Sequence, residues 1–359
     1  MRRLAIVLAA CVVAFAADEH VTVYKVKDRF GGWPANHGIW AWGNEIVFGF
    51  SAAYFQNKAG DSHQYDNKKP EEARFARSLD GGRSWTIEQH PNVPPYKEGL
   101  AEATELTEPM DFTAPNFALN LRFTDTNKGP SIFWYSTDRA KSWRGPFKFP
   151  LLGQSGVAAR SDYIVNGKRD AFVFLTAAKR NGKEGRVFVA RTQDGGLTWK
   201  FVSWIGEEPA VFSIMPSSVG VSPTKILTAT RVKQDFNVNW IDLYESDDNG
   251  STWKMLVHKV ADTGMGSGNP PVLLKLKDGR LCLTYGYRSA PYAIYAKLSS
   301  DQGRTWSEPR VIQTGGAAWD LGYVRSIERP DGKVVTAYYF NDAPHTERFI
   351  EATIWDPKQ

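Results

Sequence analysis

The chain has 359 residues, and its 44 lysines and arginines against 39 acidic side chains give a net charge of +5. The basic residues are scattered without a run, which suits an anionic small ligand and argues against a nucleic-acid partner. Of two cysteines one lies in the first dozen residues, so once that stretch is removed no internal disulfide can form and stability must come from packing.

Residues 1–17 begin with Arg2 and Arg3, run apolar from Leu4 to Phe15 and reach small residues at Ala14 and Ala16. The run falls short of the ~18 residues that span a bilayer, so it reads as a secretory signal. The mature protein is expected to be secreted, periplasmic or extracellular, with no membrane span and a net charge lowered by two, to +3. "LAAC" ending at Cys11 gives a second reading, a lipoprotein site. Cys282 in "RLCLTY" then remains as a lone thiol, expected to be a small buried hydrophobe.

Beyond the leader the chain reads as a succession of short strands. "HVTVYKVKD" (20–28), "NEIVFGF" (44–50), "DAFVFLTA" (170–177), "TKILTATRV" (224–232), "GRLCLTYGY" (279–287) and "GKVVTAYYF" (332–340) are rich in β-branched and aromatic residues and bounded by turn formers. No long amphipathic helix is evident.

Between the strands one octet recurs: "SLDGGRSW" from 78, "STDRAKSW" from 136, "TQDGGLTW" from 192, "SDDNGSTW" from 246 and "SSDQGRTW" from 299. Starts 53 to 58 residues apart, with strands between them, predict a β-propeller of four-stranded blades. In each octet the Asp carboxylate is expected to accept backbone N–H groups, the Gly to take a positive φ, and the Trp to fill the gap between blades. Ala140 stands where the others have Gly, so a looser turn is expected there.

After Trp306 the chain supplies the last strand of a fifth blade and three strands of a sixth, and residues 20–28 can provide the missing fourth. The prediction is all-β: one six-bladed β-propeller over residues 19–357, closed by its N-terminal strand.

The octet S-x-D-x-G-x-T-W resembles the Asp-box, or BNR repeat, of the sialidase superfamily, and the likeness covers the whole mature chain. It implies a glycan-active protein with a site at the axis: three arginines around the substrate carboxylate, a Tyr nucleophile activated by a Glu, and an Asp as acid/base. Tyr323, eight residues before the Asp331-Gly332 turn, matches the nucleophile, and Arg231 the second arginine. Arg288 is the candidate third, though early in its blade, and Arg29 is the arginine nearest the first position. Asp61 and Asp66 lie in the loop that carries the acid. The position of the Glu, sixteen residues before Arg231, holds Met215.

A phenol with pKa about 10 needs a base or a cation to react at neutral pH. Arg325, two residues beyond Tyr323, is expected to share its strand face and lower that pKa. His37 at the axis and His63 in the loop above it titrate near neutrality and open a second chemistry: a uronate lyase using His37 and Tyr323 with Arg231, Arg288 or Arg325 as carboxylate neutralisers. Arg160, Asp111, Asp162, Asn269 and Asp320 complete the axis-facing candidates for substrate contact. Trp33, Trp40, Trp42 and Trp319 are candidates for sugar stacking or for blade packing.

No metal-binding spacing and no phosphate loop occurs, so no cofactor is expected. The partner class is a glycan or polysaccharide, and a monomer is expected. The functional expectation is a glycoside hydrolase removing a terminal acidic sugar, with the lyase and a non-catalytic glycan-binding propeller as alternatives.

Overall fold

The computed structural model describes residues 17–60, 62–94, 101–343 and 345–359; residues 1–16, with Cys11 and most of the expected signal segment, Asp61, residues 95–100 and residue 344 lie outside this description. The structure is all-β, built from antiparallel sheets. Among the described residues no helix is long and apolar enough to cross a membrane.

Three sheets have four strands in simple order. One contains Phe212–Gly220, Ile226–Lys233, Asn239–Ser246 and Lys254–Asp262; the next contains Val272–Lys275, Leu281–Tyr287, Ala293–Ser299 and Arg310–Gln313. In the third, Gly322–Glu328, Val334–Asp342 and His345–Trp355 are completed by Glu19–Tyr24, which pairs antiparallel with His345–Trp355. The two ends of the described chain are thus joined in one sheet, as the N-terminal strand pattern predicts.

The other two sheets depart from regular order. In the first, the innermost strand is broken: Arg29–Gly32 and Ile39–Trp42 both pair with Glu45–Tyr54, separated by a 3-10 turn at Pro34–Asn36. Ala118–Phe123, Ser131–Ser136 and Arg144–Phe149 form a three-stranded unit that joins the following four strands through the pair Arg122–Arg160. The stretch 108–117 is turn and coil and leads into Ala118–Phe123.

All five octets form the same turn. In the first, Asp80 accepts the Ser84 N–H at 2.9 Å and the Ser84 hydroxyl at 2.7 Å, while the Ser78 hydroxyl donates to Asp80 and accepts the Gly82 N–H. The fourth and fifth octet residues both have positive φ, from Gly81 and Gly82 to Gln302 and Gly303. The second octet is no looser: Ala140 adopts φ 59°, and its N–H reaches the Ser136 hydroxyl at 2.9 Å. Its missing glycine is absorbed as left-handed strain, a cost of ~1–2 kcal/mol.

The octet tryptophans pack between sheets. Trp143 meets Phe75, Trp199 meets Phe149, and Trp253 meets Phe174, each on the preceding unit. Trp40 belongs to this packing, 5.2 Å from Trp143. Cys282 is fully buried, and burial pushes its thiol up to about 12.

Candidate active site

The inner strands bend where the chemistry gathers. Register shifts interrupt Phe212–Gly220 after Ile214 and Gly322–Glu328 after Gly322, and the residues at these bulges, Met215 and Tyr323, have φ of 52° and 48°. Non-glycine residues in this region are strained and persist only when their surroundings hold them. For Tyr323 the holder is Asn269: its Oδ1 accepts the Tyr323 N–H at 2.8 Å and its amide donates to Leu321 O. Gly322, at φ 102°, lies so close that a Cβ there would stand 2.3 Å from Asn269 Oδ1.

Arg231 and Arg288, carried by two other sheets, approach the Tyr323 phenol. Arg231 Nη1 donates to its oxygen at 2.9 Å and to Met215 Sδ at 3.3 Å, while Nε and Nη2 donate to Ser267 O. The Arg288 guanidinium lies 5.3 Å from the centre of the same ring. Its own donors go to Leu321 O, Gly266 O and the Tyr339 hydroxyl. Burial pushes the phenol up, but Arg231, Arg288 and Arg160 more than offset it and leave its pKa below the ordinary value.

Arg325 does not take the part expected of it. The bulge at Tyr323 breaks the alternation that would align residues 323 and 325, and Arg325 instead donates to Ala35 O and Arg160 O, both at 2.9 Å. Burial lowers its pKa to about 10, against the opposing pull of Asp162.

A second centre adjoins the first. Asp320 is fully buried and accepts Tyr339 OH at 2.6 Å, Gln64 N at 3.1 Å and His63 Nδ1 at 2.6 Å, with Arg348 Nε at 3.3 Å. Burial pushes its carboxyl up, but His63, Arg348 and Arg288 hold it well below the usual carboxylate range. His63 stays 30% exposed, between Trp33 and Trp319, whose ring centres lie 5.2 and 5.6 Å from its own. Tyr339 and Arg288 link the two centres: Arg288 bonds Tyr339 and lies 5.2 Å from Trp319.

The other candidates are distributed differently. Arg160 is held by Glu184, at 2.6 and 3.2 Å, and reaches Asn36. Asp162 is buried, accepts from Ser218 N and Oγ, and is pushed up to about 7 by burial, with Arg325 and the Ser218 bonds opposing. His37 is also buried: its Nε2 faces Ser51 Oγ at 3.2 Å, and burial with Arg122 and Arg325 nearby holds it well below the usual value. It lies beneath the site, and the exposed imidazole is that of His63.

Asp66 caps a turn through Lys68 N and pairs with Lys69 at 3.8 Å. Asp111 stands apart from the cluster, bonding Thr113 and facing Lys168 at 3.6 Å with 40% of its side chain exposed. Arg29 is tied to Glu72 and Ala53 O, away from Tyr323. Among the described residues no group of three His, Cys, Asp or Glu gathers in a way that would hold a metal ion. Glu184, Tyr339 and Arg348 carry part of the site without a local sequence signal.

Compared with models of known protein families the chain matches none, and no curated protein matches it by sequence. Solved structures do resemble it. A Dyadobacter fermentans protein of unknown function superimposes with a TM-score of 0.72 at 20% identity, over 94% of this chain and 98% of that one. The NanB sialidase of Streptococcus pneumoniae gives 0.62 at 11% identity over 94% and 70%, and the α-L-arabinofuranosidase Arb93A of Fusarium graminearum gives 0.62 at 10% over 96% and 98%. These likenesses and the antiparallel sheets described above establish the fold of the chain as a sialidase-like propeller.

Proposed function

We propose that the chain is a glycan-active enzyme, a glycoside hydrolase releasing a terminal acidic sugar, built as one closed six-bladed propeller over residues 19–357 with the octets as its Asp-boxes. The observation that carries this reading is the Arg231–Tyr323 contact with its depressed phenol pKa. The guanidinium groups of Arg160, Arg231, Arg288, Arg325 and Arg348 outnumber the carboxylates of Asp162, Glu184 and Asp320 packed among them, so the site favours an anionic substrate.

In the first step the Tyr323 phenolate attacks the anomeric carbon while His63, oriented by Asp320 through Nδ1, gives the Nε2 proton to the departing glycosidic oxygen. In the second, His63 takes a proton from water, the water oxygen bonds to the anomeric carbon, and the phenolate leaves. Arg231 and Arg288 stabilise the phenolate at its start and its return. His63 takes the acid/base role that the family resemblance assigns to an Asp of the same loop. The proposal includes export by the leader at 1–17 and action as a monomer.

A uronate lyase is the second reading, favoured by Met215 standing beside Arg231 where an activating carboxylate would be. Tyr323 would then remove the proton next to the carboxylate, and His63 would protonate the leaving oxygen. The test is a panel of sialosides, uronides and neutral glycosides, read for reducing sugar and for the ultraviolet absorbance of an unsaturated uronate. Reducing sugar without that absorbance, lost in Tyr323→Phe, supports hydrolysis. The absorbance assigns the lyase, and binding without either product assigns the glycan-binding propeller.

A further inference from the structure

A second cleft, lined by none of the residues around Tyr323, lies between the strands Lys200–Trp204 and Asn239–Ser246. It has a volume of about 670 Å³, within the ~300–1,000 Å³ of small-molecule sites, and its walls include Trp204, Trp240, Asp242, Tyr244, Trp253 and Met255. On the strand Asn239–Ser246 alternation sends Trp240, Asp242 and Tyr244 to this face, while Ile241 and Leu243 enter the core on the other. The neighbouring sheet is tied across the cleft: Trp253 Nε1 donates to Ser203 Oγ at 3.1 Å, and Ser203 Oγ donates to Gly250 O at 2.6 Å.

Asp242 is the unusual member. Its side chain is 6% exposed, yet its two oxygens are treated unequally. Oδ1 accepts three hydrogen bonds at 2.9 Å, from Trp240 Nε1, His258 Nδ1 and Lys259 N. Among the described residues no donor reaches Oδ2, and none pairs with the Tyr244 hydroxyl on the same face. Both atoms face the open space of the cleft, where a ligand that displaces their water must replace its hydrogen bonds. An acceptor and a hydroxyl two residues apart therefore stand ready in a cleft with apolar walls.

The surrounding charge selects the ligand class. Glu208 at the rim is matched by Arg186 at 3.5 Å, Arg186 lies over Trp204 at 4.1 Å, and the Lys259 ammonium lies over Trp240 at 4.4 Å. Cations already occupy these ring faces, so a further ammonium gains little, and an anion would meet the open carboxylate oxygen. An uncharged polyol ring satisfies both groups: one hydroxyl donates to Asp242 Oδ2, another pairs with Tyr244, and the C–H face lies against Trp253 and Met255. We propose that this cleft is a second carbohydrate site that holds an uncharged pyranose unit, independent of whatever reaction Tyr323 performs.

The test is calorimetric titration of the purified full chain with methyl β-galactoside, methyl α-glucoside and lactose. At least one should bind, and Asp242→Asn, which keeps the Oδ1 acceptor but replaces the open oxygen with a donor, should weaken it more than tenfold. Tyr244→Phe should weaken it severalfold, and Tyr323→Phe should leave it unchanged. The proposal is overturned if no pyranoside binds, if Asp242→Asn binds like the parent, or if tetramethylammonium binds with the Asp242 dependence and the sugars do not. Loss of binding in Tyr323→Phe would move the sugar to the axial site and overturn it equally.

Discussion

The Arg231 guanidinium donates to the Tyr323 phenol oxygen at 2.9 Å, although 92 residues separate the two. Removing that charge should make the phenol harder to ionise. In Arg231→Gln the acidic limb of the pH–rate profile is expected to move to higher pH, and Tyr323→Phe should lose more than about 10³-fold in kcat. A profile unmoved in Arg231→Gln would show that the phenol does not govern the rate.

Asp320 compensates His63 and Arg348 in a fully buried position. Asp320→Asn leaves the buried Arg348 charge without its partner and is expected to cost about 3–5 kcal/mol of stability, measured by denaturant unfolding. His63→Ala, with its side chain partly in solvent, should keep the fold but lose at least about 10²-fold in kcat. Equal activity in His63→Ala would remove the histidine from the mechanism.

Asp162 carries a pH signature of opposite sign to most carboxylates. Its folded pKa, near 7, lies above the unfolded value, so the neutral form stabilises the fold. That contribution is complete below about pH 4 and is lost as pH rises through about 7. The melting temperature of Asp162→Asn relative to the parent should therefore rise between these limits. A difference constant with pH would contradict the assignment.

Gly322→Ala would force a Cβ into Asn269, at a φ of 102° that alanine resists. A loss of about 1–3 kcal/mol is expected from the overpacking. Because Asn269 holds the Tyr323 backbone, kcat should fall even in the folded fraction. An active, stable alanine variant would mean that the loop adapts.

In the third octet burial raises the Asp194 pKa, and its bonds from Thr198 and Thr192 outweigh this and hold it below the ordinary value. Asp194→Ala should lower the melting temperature at neutral pH with kcat unchanged, and the difference should shrink as acid protonates the parent's carboxylate. A loss of activity without a loss of stability would give the octet a role beyond folding.

The fold was legible because its signals are local. An octet writes its turn, its left-handed pair and its interblade Trp within eight residues, and alternation marks the strands between. Asn269 and Asp320 were legible as axis candidates because they precede inner strands, and Tyr323, Arg231 and Arg288 through the family resemblance. The join between His63 and Asp320 spans 257 residues, and no local pattern announces it. Arg325 was misread because strand alternation holds only where the register is unbroken. Asp111 lies in the coil before Ala118–Phe123 but turns to Thr113 and Lys168.

The left-handed kinks at Met215 and Tyr323 have an evolutionary corollary. Met215 meets Arg231 from the neighbouring strand and Tyr323 from another sheet, while the strands around each kink keep their pairing. Descendants of such a scaffold can therefore trade one side chain per kink, thioether for carboxylate or phenol for hydroxyl, and change the chemistry offered there without disturbing the sheets that carry it.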